Sequence, residues 1–199
     1  MPHLTTPIPF LRRCCLLALF LLCVPGLVAA AEEPRTKGLF LVATEQLDGT
    51  SFQQTVILLT HFSPHGAVGL AINRPSDIAL HEVFPEFGQL KQGMDLLFLG
   101  GPISANVLSI LVRTSHPTET MRHIADNIYL ASAQIALAQA IDGAAHIYAG
   151  YTGWAPGQLQ AEIERGDWMV VQDDPQIIFE ENTAGLWQNL YRSWSGEWI

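Results

Sequence analysis

Gly150-Tyr151-Thr152-Gly153-Trp154-Ala155-Pro156-Gly157-Gln158-Leu159, continued by Gln160-Ala161-Glu162-Ile163, is the stretch on which the reading of this chain turns. Glycines and a proline crowd two large aromatics, so the local backbone is strongly specified. A strand over 146–151 is expected to run into a tight turn and then into a helix. Pro156 suits the first helical position, with Arg165 in the last turn and Gly166 just beyond. A helix starting there leaves the amides of Gly157, Gln158 and Leu159 without intrahelical partners at its positive end, which permits an anion site. The competing reading is packing: the glycines take turn dihedrals, while Tyr151 and Trp154 form a lid on the core. No lysine or Ser/Thr follows as in a phosphate-binding loop, so packing is preferred.

Outward from this stretch, short apolar runs rich in branched residues dominate. Strands are expected at 38–43, 55–61, 68–72, 96–99, 107–112, 128–130, 146–151, 168–171 and 177–179. The run from Thr55 to Leu59 is continuous rather than alternating, which predicts a strand covered on both faces. Besides the helix near Pro156, Ser132 is a good N-cap for one carrying Ile135, Ala138 and Ile141 up to Asp142-Gly143. A third opens at Asn182 or Thr183, with Leu186, Trp187, Leu190, Tyr191 and Trp194 in one apolar stripe. Strands outnumber helices without strict alternation, so the class is α+β.

Several separated motifs carry a family resemblance. The opening stretch is similar to G-Y-x-G-W-x-x-G-Q-L-x-x-E, and Gly66-Ala67-Val68-Gly69-Leu70-Ala71-Ile72-Asn73-Arg74-Pro75 to G-A-x-G-L-x-x-N-R-P. Gly38 to Ala43, Leu47-Asp48, Phe52, Thr55 to Leu59, His61, Gly100-Gly101-Pro102, Trp168 and Phe179 follow the same family order. Together they resemble the bacterial YqgE/AlgH family over nearly all of 38–191. The resemblance implies a mixed β-sheet bent into a partial barrel with flanking helices. It implies no reaction, since the family has no settled biochemical activity, although some members carry a transcriptional-regulator label.

The first 31 residues read as a signal peptide, leaving one domain over 32–199. Arg12-Arg13 supplies positive charge, and Cys14 to Val24 is an apolar run of eleven residues. That is short of the roughly 20 needed to span a bilayer, so no permanent span is expected. Ala29 and Ala31 fit a cleavage site before Glu32, with a cut before Ala31 as the alternative. The chain is thus expected to be exported, and periplasmic in a Gram-negative host, whereas the family it resembles is mostly leaderless. Cys14, Cys15 and Cys23 all lie in this leader, so the mature chain has no thiol for a disulfide or a metal. Without Arg12 and Arg13, eight basic residues face nineteen acidic ones, a balance of −11. The basic residues are scattered, which opposes direct nucleic-acid binding and gives the regulator label no physical support.

Three strand ends carry unusual residues. Asn73-Arg74-Pro75 follows an apolar strand, and a guanidinium there suits two-point clamping of a carboxylate or phosphate. Alternatively Asn73 closes the turn and Arg74 pairs with a structural carboxylate such as Asp48 or Glu162. Gly100-Gly101-Pro102 also ends an apolar run, and strand ends on one side of a sheet often line a cleft. The candidate ligand site is therefore Asn73, Arg74, Gly101, Tyr151, Trp154 and Gln158, taking a small anionic ligand or a protein partner. His61 and His65 are spaced i,i+4, but Pro64 forbids the helix that would join them, so no metal site is assigned. No nucleophile elbow, zinc-protease or dinucleotide motif occurs, and no cofactor is implied. The leading expectation is a binding or interaction module. The alternative is a hydrolase-like enzyme in which Arg74 and Asp48 or Glu162 act on a bound anion.

Overall fold

The computed structural model describes residues 38–83, 96–132, 144–180 and 183–196. Ten strands are seen among them: β1 (Gly38–Ala43), β2 (Val56–Ser63), β3 (Gly66–Ala71), β4 (Pro75–Ala79), β5 (Leu96–Leu99), β6 (Ile103–Arg113), β7 (Arg122–Ala125), β8 (Ile128–Ser132), β9 (Ala144–Trp154) and β10 (Trp168–Asp173). The helices among the described residues are α1 (Leu80–Val83), α2 (Gln158–Glu164) and α3 (Leu186–Ser195). The sheet runs β10-β1-β2-β3-β9-β6-β8-β7, with β4 paired to β5 and β5 lying parallel to β9. The fold is α+β, a mixed sheet curled into a half-barrel.

β9 is the spine. Its last residues pair with β3 (Thr152 with Gly69, Trp154 with Ala67), while its earlier part pairs with β6 from Ala144 to Tyr151. The double coverage expected of 55–59 is present: all five residues are buried. Val56 and Leu58 point into an inner cluster with Phe40, Leu111, Tyr148 and Ile178, whereas Ile57 and Leu59 join an outer cluster with Trp154, Leu159 and Trp168. One strand feeds both layers because successive side chains alternate faces.

Several boundaries differ from expectation, each for a local reason. Residues 177–179 are not a strand but part of a 3-10 turn, Pro175–Phe179. The Asp174 side chain accepts from the Gln176 amide and Pro175 occupies the first turn, so capping chemistry overrides the β-branched run. This turn bridges the curl: Gln176 accepts from the Arg113 guanidinium at 3.0 Å and donates to Asn127 Oδ1 at 2.8 Å. The helix expected from Pro156 starts two residues later at Gln158, behind a left-handed Gly157 (φ +76°). The strand before it extends through Trp154. α3 starts at Leu186 after a short 3-10 turn, Thr183–Gly185, rather than at Asn182 or Thr183; Asn182 lies outside the described residues. Its Leu186 and Leu190 enter the inner cluster, and Trp187 Nε1 donates to the Ala43 carbonyl at 2.8 Å. β4 and β7 were not foreseen, one because it opens on a proline and the other because it is short and polar. Ser132 ends β8, and the helix expected after it falls on 133–143, outside the described residues.

Candidate functional site

The two sequence signatures meet in space. Gly66 opens β3 at φ +131°, and a Cβ there would stand 2.5 Å from the Trp154 carbonyl oxygen. Only glycine lets the β2–β3 hairpin lie this close to the end of β9. The hairpin tip and the turn from β9 into α2 thereby become the two walls of a groove of about 360 Å³. Phe62, Ser63, Pro64, Gly66 and Ala67 form one wall, and Ala155, Gly157, Leu159 and Gln160 the other. Among the described residues, none that lines the groove is charged. Ala67 and Leu159 continue into the outer cluster, while Phe62, past an irregularity in the β2–β3 register, stands 61% exposed at the rim.

A carboxylate fixes the α2 wall. Glu162 Oε2 accepts from both indole N–H groups, Trp154 at 2.8 Å and Trp168 at 2.9 Å. Its Oε1 accepts from Gln158 Nε2 at 2.9 Å. The indole rings meet edge to face at 6.2 Å, and Phe52 packs edge-on against Trp168 at 5.6 Å. A half-buried carboxylate is thus satisfied by three neutral donors, and α2 is held to the outer face at a defined height. At the helix start, Gln158 caps the turn: its Oε1 accepts from the Ala155 amide at 3.1 Å, and its own amide donates to the Ala155 carbonyl at 3.0 Å.

The residues expected to share one cleft fall into three groups. Asn73 and Arg74 hold the loop before β2. Asn73 Oδ1 accepts from the Val56 amide at 2.9 Å and its Nδ2 donates to the Gln54 carbonyl. Arg74 Nη2 donates to Thr55 Oγ1 at 2.6 Å and to the Gln53 carbonyl at 2.7 Å, and Nε donates again to Thr55. Its partners are therefore a hydroxyl and a carbonyl rather than Asp48 or Glu162. Gly101 and Tyr151 form the second group, a backbone crossing: Gly101 has φ +155° and a Cβ there would lie 2.3 Å from the Tyr151 carbonyl carbon. Trp154 and Gln158 form the third, joined through Glu162. Asn73 lies beyond the C-terminal end of β3, while Trp154 pairs near its N-terminal end. Sequence reasoning missed the hairpin wall of the groove. The available signal was a phenylalanine between two histidines, His61 and His65.

Both histidines of the hairpin meet Ser63. His61 Nε2 lies 3.2 Å from Ser63 Oγ, which accepts from the His65 amide at 3.3 Å. Among the described residues, no three His, Cys, Asp or Glu side chains are placed to hold a metal ion. The perturbed titrating groups lie elsewhere. Burial lowers the Arg74 and Arg122 guanidinium pKa values and raises that of the Tyr148 phenol. His146 is lowered to about 4 by burial and then by Arg113. Its ring stacks on Phe98 at 4.6 Å and lies 5.0 Å from Phe179.

A family model described as AlgH-like matches residues 40–199. The chain belongs to the YqgE/AlgH family. A UPF0301 protein of Mycobacterium tuberculosis is 34% identical over 171 residues, covering 82% of this chain and 84% of the relative. One from Mycobacterium ulcerans is 33% identical over the same length. A crystal structure of a Corynebacterium diphtheriae protein superposes with a TM-score of 0.70 at 25% identity, covering 81% of this chain and 87% of that one. The solution structure of the AlgH protein from Pseudomonas aeruginosa gives 0.65 at 26% identity, covering 80% and 88%. These relatives fix the family and the AlgH fold, and none of their names states an activity. Among the described residues no helix is long and apolar enough to cross a membrane.

Proposed function

We propose that this YqgE/AlgH member is an exported binding module whose docking site is the groove between the β2–β3 hairpin and the β9–α2 turn. The observation that carries the reading is the meeting of the two signature motifs around a groove whose described lining is uncharged, with an exposed phenylalanine at its rim. Sites of this kind are concave and mostly apolar with a few polar groups, and here Ser63 and Gln160 supply those groups. The enzymatic alternative needs Arg74 and a carboxylate on one substrate. Arg74 is turned to Thr55 and Gln53, and Glu162 to the two indoles, which favours binding over catalysis. The same commitment of Arg74 weighs against the small anion as the ligand. The net charge of −9 weighs against a direct role on DNA.

A photo-crosslinking amino acid placed at Phe62, compared with one at exposed Val170 on β10, tests the docking face in the native host. A discrete adduct from the first position alone is expected; equal or absent labelling at both would count against the groove. Export is tested separately by amino-terminal sequencing. Mature protein is expected to begin at Ala31 or Glu32 outside the cytoplasm, and cytosolic protein retaining Met1 would refute it.

A further inference from the structure

Among the described residues the groove lining is neutral and most cations are already engaged, and this bears on what the groove accepts. The described residues include five arginines and no lysine. Arg74 binds Thr55 and Gln53, and Arg122 donates to the Thr60 carbonyl. Arg113 donates to Gln176 and lies 5.3 Å over the Phe179 ring, and Arg165 pairs with Asp167. Four of the five thus serve the protein itself, while the whole chain carries nineteen acidic residues against ten basic. At the groove, Gln160 Nε2 donates to Glu164 Oε1 at 3.2 Å, which sets an exposed carboxylate one helical turn from the lining.

We infer that the groove takes a polypeptide segment in which a large apolar side chain is followed closely by a lysine or arginine; this rests on the docking reading above. The apolar side chain fills the space beside Phe62, Ala67 and Leu159, and the cation reaches Glu164. The spacing follows from geometry. One helical turn is about 5.4 Å, and an extended chain covers this in about two residues at 3.3 Å each. Residues two apart on a strand also point to the same side, so both groups face the protein. An acidic segment would bring like charge to Glu164. A second copy of this chain is disfavoured for the same reason, since each copy carries a net −9.

The full chain, isotopically labelled, is titrated with the peptide Gly-Ser-Leu-Gly-Lys-Ser-Gly and with its counterpart bearing Glu in place of Lys, following the amides of Gly66, Gly157 and Leu159 by NMR. The lysine peptide is expected to shift these amides and to bind about tenfold more tightly, with the gap closing in high salt. Glu164→Gln, at an exposed position, should reduce lysine-peptide affinity about two- to fivefold, as exposed ion pairs do. Phe62→Ser should abolish the shifts for both peptides. Equal affinity of the two peptides for these amides would overturn the cation preference and leave the docking reading standing. Absence of shifts with either peptide, or binding indifferent to Phe62→Ser, would overturn both. Shifts of the same amides on concentrating the protein alone would make a second copy the occupant and also overturn the inference.

Discussion

The stretch from Gly150 to Gln160 divides at Trp154. Its first half is strand: Thr152 is 3% exposed and Trp154 7%, and both pair with β3. Its second half, Ala155 to Gln158, is exposed at every position, as is Gln160. Both halves are equally particular in composition, yet their surroundings differ. The first half is constrained by backbone crossings and indole packing, which account for Gly101, Gly150 and Trp154. The second is constrained by a left-handed Gly157 and a glutamine that caps its own turn, and it leaves one wall of a groove facing solvent. A motif that reads as one unit therefore combines a fold element with a surface element, and substitutions should separate them.

The largest effect is expected at Trp154. Replacement by alanine removes a buried ring and deprives Glu162 of a donor, so denaturant unfolding should show a loss of about 3–5 kcal/mol. Retention of wild-type stability would break the division at Trp154. Farther back on the same strand, His146 makes stability depend on pH. Its folded pKa of about 4 lies below the ordinary 6.5, so the unfolded chain binds more protons between these values. The contribution is full above about pH 6.5 and is lost as pH falls toward 4, at most about 3 kcal/mol. His146→Phe should flatten that part of the curve of melting temperature against pH.

Arg74→Ala is a smaller test. It removes hydrogen bonds to Thr55 and Gln53 at the start of β2, and urea unfolding should register about 1–2 kcal/mol. An unchanged midpoint would mean that the guanidinium is held for something other than the loop. Phe62→Ser should have the smallest effect, within about 0.5 kcal/mol of wild type, because the ring is exposed. A large loss there would turn the groove wall into core and remove the contrast between the two halves.

Much of the sheet was legible because buried strands announce themselves by unbroken apolar runs, as at Thr55 to Leu59. Trp154 was legible too: a large ring beside Gly153 and Pro156 has few places to go but inward. The 3-10 turn at Pro175 was misread because Ile177 and Ile178 outweighed the Asp174-Pro175 cap. The candidate site was only half legible. Arg74 resembles a ligand clamp in sequence, but nothing in its own neighbourhood reveals that Thr55, on the other side of the β2–β3 hairpin, will take its hydrogen bonds. The groove depends on Phe62 and Leu159 being brought together by the pairing of β3 with β9, and no local pattern encodes that meeting.

That pairing also sets an order of events. β9 sits between β3 and β6 and accepts β5 as well, yet it begins at Ala144, after all three have been made. A chain emerging from its amino terminus, whether from a ribosome or through a translocation channel, therefore exposes β3 and β6 with unclaimed edges until its last third arrives. Unclaimed edges recruit other strands, so in this interval the nascent chain is most exposed to misassembly. Truncation just before β9 would leave three part-sheets, β1-β2-β3, β4-β5 and β6-β8-β7, with no strand to join them.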